Sequence, residues 1–246
     1  MIPKTLHYVW VGPNPIPTED QARIAVWRKM LPGWNFRHWS NEDIDWSNRY
    51  LRQSASVMAW NRISDYMRMM ALVQDGGVYL DTDVDLVKAL DPLLSEEAFV
   101  GFQTNEPTNQ MVNGAIFGAV KGHWLPTEAK KYFDDQLDGR KDVLAFSGPG
   151  LLTQLLMKRG LKDPSQDMVK LDGVAIFPTR FFYPYLWTEQ YDPGVITPDT
   201  YAVHRWAESW VSRRSLAKKI RKKLTYFTSH VAPDYRVSRV RRLLKV

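Results

Sequence analysis

The sequence predicts an α/β domain that binds its ligand at the carboxyl end of a strand. Three observations predict it. The chain opens with an apolar run, a helical stretch and a second apolar run, the strand–helix–strand order of α/β folds. A longer helical stretch stops at Asp75-Gly76-Gly77 and is followed at once by the short apolar run Val78-Tyr79-Leu80. Asp81, Asp83 and Asp85 then stand at the end of that run, where open α/β sheets bind ligands.

Leu6 to Val11 is rich in aromatic and β-branched residues and reads as a buried strand, broken by Gly12-Pro13-Asn14-Pro15-Ile16-Pro17. Thr18 to Leu31 reads as a helix, with Thr18 as N-cap, Glu19 and Asp20 in its first turn and Pro32-Gly33 as terminator. Trp34 to Trp39 alternates as a second strand. From Val57 to Gln74, Met58, Ile63, Met67, Met70 and Ala71 fall close to one helical face, and the glycines after Asp75 supply a C-cap. Ala98–Phe102, Gly114–Ala119, Val174–Pro178 and Tyr201–His204 are expected as strands, Trp124–Leu137 and Leu151–Lys158 as helices.

Length and composition fit one soluble domain with a tail: 246 residues, 44% hydrophobic and 24% charged. With no cysteine, disulfides, thiolate metal sites and Cys nucleophiles are excluded. The N-terminus shows no charged leader before an apolar run, so no secretory signal is expected. No apolar run approaches the ~18 residues that a spanning helix needs. Ten Trp and eleven Tyr suit sugar and base stacking as well as core packing. The net charge of +6 hides an asymmetry. Residues 205–246 hold thirteen Lys and Arg against two Asp and Glu, which leaves 20 basic and 25 acidic residues before them. A slightly acidic domain, 1–210, is therefore expected to carry a basic amphipathic helical tail, 211–246.

The acidic run defines the chemistry. In an extended segment Asp81, Asp83 and Asp85 share one side. Carboxylates so grouped repel one another unless a cation or protons intervene. Their oxygens suit a hard divalent ion, Mn²⁺ or Mg²⁺, and a diphosphate is its natural co-ligand. A D-x-D triplet alone is common in surface loops; the helix, glycine stop and strand before it are what single it out. Asp65 and Arg68, spaced i, i+3 on that helix, read either as a plain ion pair or as joint contacts to a polar ligand.

Ser64-Asp65-Tyr66-Met67-Arg68, followed by Asp75-Gly76-Gly77-Val78-Tyr79-Leu80-Asp81-Thr82-Asp83, resembles the signature of the sugar-binding, DxD-containing glycosyltransferases. That family includes yeast-type initiating mannosyltransferases, bacterial capsule and lipopolysaccharide transferases and, more distantly, the clostridial glucosylating toxins. Ile2–Gly12, Asn113–Ala119 with Lys121-Gly122-His123, Ser147–Gly150 and Tyr201–Trp210 resemble further blocks in the family's order.

The resemblance implies a GT-A fold, a Rossmann-like sheet that binds a nucleotide sugar, and transfer with retention of anomeric configuration. It implies that Val9 and Trp10 hold the base, Asp65 and Arg68 the sugar and diphosphate, and Tyr79 the nucleotide. Asp81 is implied to meet the ribose or, through water, the metal, with Asp83 a direct metal ligand and His204 a further one. Asn113 is left as the donor-side contact where the family often has two Asn, and Gly114 is expected to widen the acceptor site. Ser209 and Trp210, with Trp206, would close over the diphosphate. Core packing for Trp10 and a structural hydrogen bond for His204 are the plain alternatives.

The expected function is a retaining, metal-dependent hexosyltransferase. It would use a nucleotide sugar, UDP-hexose foremost, and a saccharide or polyprenyl-linked acceptor in bacterial surface polysaccharide synthesis. The tail, with Val211, Ile220, Leu224 and Phe227 on one face amid Lys and Arg, suits an anionic membrane surface at the cytoplasmic side. No recognition fold accompanies its charge, so nucleic acid is not expected as a partner. Two rival readings stand beside this one. A haloacid-dehalogenase-type phosphohydrolase also follows a strand with D-x-D, but has Thr or Val where Asp85 stands. A non-catalytic sugar-binding module would have kept the binding residues without turnover.

Overall fold

Residues 1–135 and 148–207 are described by the computed structural model. Strand β1 (Thr5–Val9), helix α1 (Thr18–Met30) and strand β2 (Asn35–Trp39) form the opening unit. Helices α2 (Arg49–Ser56) and α3 (Trp60–Asp75) lead into β3 (Gly77–Leu80). A turn over Asp81–Val84 connects β3 to β4 (Val84–Leu86). Then come β5 (Ala98–Phe102), β6 (Val112–Ala119), α4 (Trp124–Asp135) and α5 (Gly148–Lys158). The chain continues through β7 (Val169–Leu171), β8 (Val174–Phe177), α6 (Thr179–Phe182) and β9 (Ala202–His204).

Seven strands form one sheet in the order β2-β1-β3-β6-β5-β8-β7. β1 is parallel to both β2 and β3, and β5 is parallel to β8, whereas β6 runs antiparallel between β3 and β5. Alternation along β3 sends Tyr79 into one core and Val78 and Leu80 into the other. The first core packs α3, α4 and α5 on the sheet through Ile63, Met67, Phe133 and Leu152. The second packs α1 and α6 through Ile24, Trp27 and Phe182. β4 and β9 pair antiparallel as a separate two-stranded sheet beside the carboxyl end of β3.

The junction of α3 and β3 shows why the glycines stand there. Gly76 has φ +65°, and a Cβ on it would sit 2.5 Å from the Lys121 amide nitrogen. No larger residue fits this left-handed position. His7 secures the junction from β1. The Trp39 indole N–H donates to its Nδ1 at 3.1 Å, so Nε2 carries the proton and donates to the Gly76 carbonyl at 2.8 Å.

Several expectations are corrected. Thr18 is the first helical residue of α1, not its N-cap: Pro17 precedes it in an extended conformation and its carbonyl takes the Gln21 N–H. The helix expected from Val57 begins at Trp60, because Met58 adopts φ +54° and turns outward, 76% exposed. α2, which was not foreseen, is capped by Asn48, whose side chain accepts the Leu51 N–H. The acidic run is not extended. The Val84 N–H bonds the Asp81 carbonyl at 3.1 Å, and this turn cancels the alternation that would have aligned Asp85 with Asp81 and Asp83. The expected tail, the boundary near residue 210, Ser147, Ser209 and Trp210 lie outside the described residues. Among the described residues, no helix is long and apolar enough to cross a membrane.

Candidate active site

Helix α3, strand β3 and strand β9 each deliver a polar side chain to one place. From α3 comes Arg68, buried, with Nη2 3.3 Å from Asp65 Oδ1 and 2.9 Å from Asp81 Oδ1. Its guanidinium lies over the Tyr79 ring, 4.4 Å from the centroid. Burial works against the cation, but Asp81, Tyr79 and Asp65 outweigh it and the Arg68 pKa is raised. Burial also raises the Asp65 carboxyl, with Arg68 opposing it. Asp65 Oδ2 accepts the Gly148 N–H at 3.2 Å, at the start of α5.

At the end of β3 the Tyr79 hydroxyl donates to Asp81 Oδ1 at 2.7 Å. That oxygen therefore takes two donors, Tyr79 and Arg68. The Asp81 N–H donates to the Ala115 carbonyl on β6 at 2.8 Å, which anchors the turn to the sheet. His204, at the end of β9, brings Nε2 to 3.2 Å from Asp83 Oδ1 and 3.7 Å from Asp81 Oδ2. One ligand atom from each of Asp81, Asp83 and His204 falls within 4.8 Å of the others. Burial disfavours an imidazolium at His204, but Asp83 and Asp81 outweigh it and the pKa is raised. A group that gathers two carboxylates and an imidazole so closely, largely shielded from water, has the donor chemistry of a divalent cation site.

Six of the residues singled out in the sequence thus meet: Asp65, Arg68, Tyr79, Asp81, Asp83 and His204. Val9 and Trp10 stand at the carboxyl end of β1, the parallel neighbour of β3. Val9 is buried in the core, while Trp10 is half-buried and donates its indole N–H to the Asn14 carbonyl. Asn113 is buried, and its side chain is engaged by Gln103 and by the Ala115 N–H. The space beside Gly114 is filled: a Cβ there would lie 2.9 Å from Leu152 and 3.1 Å from the Arg68 guanidinium. Its bareness seats Arg68.

Five neighbours of this site had no role in it assigned from sequence. Asp85 turns to Arg23 Nε at 2.8 Å and to Arg205 at 3.3 Å. Tyr183 packs its ring edge against His204 and passes its hydroxyl to the Asn113 carbonyl. Asp20, Arg23 and Trp27 reach the acidic turn from α1. Their i, i+3, i+7 spacing was visible in the sequence; Tyr183, inside an aromatic run, carried no such signal.

Comparison with known proteins agrees with this geometry. Residues 17–100 match the model of the glycosyltransferase sugar-binding region containing the DXD motif. An uncharacterized glycosyltransferase, L373, of Acanthamoeba polyphaga mimivirus is 24% identical over 226 residues, 89% of this chain and 87% of that protein. Human lactosylceramide 4-alpha-galactosyltransferase is 28% identical over 153 residues, 58% of this chain, which spans 41% of that enzyme's length. Inositol phosphoceramide mannosyltransferase 1 of Schizosaccharomyces pombe is 32% identical over 107 residues, 40% of this chain and 33% of its own. Among solved structures, that of the galactosyltransferase LgtC with donor and acceptor sugar analogues superimposes with a TM-score of 0.51. It is 13% identical and covers 90% of this chain and 95% of its own, a likeness of fold. The phosphohydrolase reading falls away, since Asp85 stands where that pattern needs Thr or Val and is held by two arginines. The chain thus shares the GT-A-type α/β fold of that galactosyltransferase structure and carries, over residues 17–100, a match to the glycosyltransferase sugar-binding region containing the DXD motif.

Proposed function

We propose that the protein transfers a hexose, with retention, from a nucleotide sugar to a saccharide or lipid-linked saccharide acceptor, using Mn²⁺ or Mg²⁺. The observation that carries this reading is the convergence of Asp81, Asp83 and His204 beside the buried Arg68. Carboxylate oxygens suit both ions, and the imidazole nitrogen favours Mn²⁺ of the two. When bound, the cation would neutralise charge on the leaving diphosphate.

The chain's own residues supply the rest. Arg68, kept charged by its acidic neighbours and seated on Gly114, meets the anionic donor, and Asp65 with it meets the sugar. Tyr79 and Arg68 occupy Asp81 Oδ1 and so leave Oδ2 toward His204. Val9 and Trp10 receive the base, and Asn113 borders the donor. Front-face attack, in which the departing phosphate takes the acceptor's proton, asks the protein for positioning and charge stabilisation rather than for a strong base.

UDP-hexose is the donor we favour. The names of two relatives support a hexose moved to a lipid-borne acceptor: one is a galactosyltransferase of lactosylceramide, the other a mannosyltransferase of inositol phosphoceramide. The setting we propose is bacterial surface polysaccharide synthesis at the cytoplasmic face of the cell membrane, reached through the basic tail 211–246.

The test is turnover of UDP-glucose, UDP-galactose and GDP-mannose with Mn²⁺, followed as release of free nucleotide. Selective turnover of one donor is expected, lost with chelator and lost in Asp83→Ala. Donor binding without any turnover would favour a non-catalytic sugar-binding module. Undiminished turnover in Asp83→Ala would sink the assignment of the metal.

A further inference from the structure

The acidic turn is held from below by one helix. Asp20, Arg23 and Trp27 lie on one face of α1, spaced by three and four residues. Asp20, 3% exposed, accepts the Thr82 hydroxyl on Oδ2 at 2.9 Å and Arg23 Nη1 on Oδ1 at 2.8 Å. Arg23 continues to Asp85 Oδ1 at 2.8 Å. The Trp27 indole N–H reaches the Val84 carbonyl at 2.9 Å, and Trp27 itself is fully buried. Three positions of the turn and strand, Thr82, Val84 and Asp85, are thereby fixed to a single rigid element. None of the three α1 residues belongs to the cluster Asp81, Asp83 and His204.

Thr82 separates the two aspartates, so its backbone sets the angle between their side chains. A buried hydroxyl bonded to a buried carboxylate is a poor choice for a spacer of no consequence. A valine would fill the same volume and leave no polar atom to satisfy. The arrangement is that of outer residues which orient metal ligands without touching the metal.

We propose that the Asp20–Arg23–Trp27 face of α1 is the positioning element of the metal site, and that Thr82 is its contact. This rests on the reading of Asp81, Asp83 and His204 as metal ligands. Thr82 and Asp20 act through the aspartates and are positioning residues. Asp85 belongs to the same device: it joins Arg23 to Arg205, and the Arg205 N–H in turn bonds the Asp83 carbonyl at 3.0 Å.

Mn²⁺ binding to the full chain, titrated by electron paramagnetic resonance without any nucleotide sugar, tests this apart from activity. Thr82→Val should weaken Mn²⁺ binding by about 10- to 100-fold, the usual effect of losing an outer partner of a ligand. Thr82→Ser restores the hydroxyl and should return affinity close to that of the parent. Asp20→Asn should match Thr82→Val; thermal unfolding of each metal-free variant shows that the fold is retained. Parent-like Mn²⁺ affinity in Thr82→Val, with binding lost in Asp83→Ala, would overturn the proposal and leave the metal site standing. Parent-like affinity in Asp83→Ala would remove the metal site itself.

Discussion

Tyr183 ties together two backbone groups of β6 through a single hydroxyl. It accepts the Ile116 N–H and donates to the Asn113 carbonyl, both at 3.2 Å, where the pairing of β5 and β6 shifts register. Tyr183→Phe removes the hydroxyl that both buried backbone groups use, and a lost pairing of this kind costs about 1–3 kcal/mol. A urea unfolding midpoint lowered accordingly is expected; an unchanged midpoint would show that the strands close the gap unaided. The contrast with Asp83 is instructive. Asp81, Asp83, Asp65 and Arg68 were legible in the sequence, because charged residues flanking a buried strand need a reason to be there. Tyr183 was not, because an aromatic within Phe181-Phe182-Tyr183 reads as core and only the fold shows where its hydroxyl ends. Asp85 was misread for another reason: alternation was applied across a turn.

Among elements, the junction of α3 and β3 is held by a histidine that must stay neutral. Burial lowers the His7 pKa below the ordinary 6.5, ahead of the opposing bond to the Gly76 carbonyl. A proton added at Nδ1 would face the indole N–H of Trp39. The unfolded chain therefore takes up that proton more readily than the folded one. The contribution of His7 is intact above about pH 6.5 and is lost progressively as pH falls toward the lower folded value. Thermal unfolding between pH 7.5 and 5.0 should show a decline that is shallower in His7→Gln. An identical decline in both would place the acid sensitivity elsewhere. The long elements of this region were legible from periodicity and glycine stops. β9 fell within the strand expected at Tyr201–His204, but the three-residue β4 was not foreseen, since so short a strand is defined by its partner rather than by its own residues.

For the whole molecule, charge is the feature that a fold description leaves out. An excess of acidic residues before Arg205 and a dense basic run after it separate the attraction for anions from the body that does the chemistry. The full chain should sediment with vesicles of phosphatidylglycerol and not with phosphatidylcholine alone. Binding should weaken as salt rises and disappear in a chain ending at residue 210. Equal sedimentation with both lipids, or binding unaffected by the truncation, would refute the membrane role of the tail. The α/β class was legible because the strand–helix–strand opening is local. The antiparallel insertion of β6 between β3 and β5 was not, because sheet order is decided by pairings between distant segments.

The pairing of β4 with β9 has a consequence for synthesis. Val84 and His204 are register partners, and of the three clustered residues Asp81 and Asp83 precede β4 while His204 lies on β9, the last strand among the described residues. A chain emerging from the ribosome N-terminus first can build much of the sheet before His204 appears. Until then it holds the aspartates without the imidazole. A chain cut short before β9 would hold Asp81 and Asp83 without the imidazole that completes the cluster.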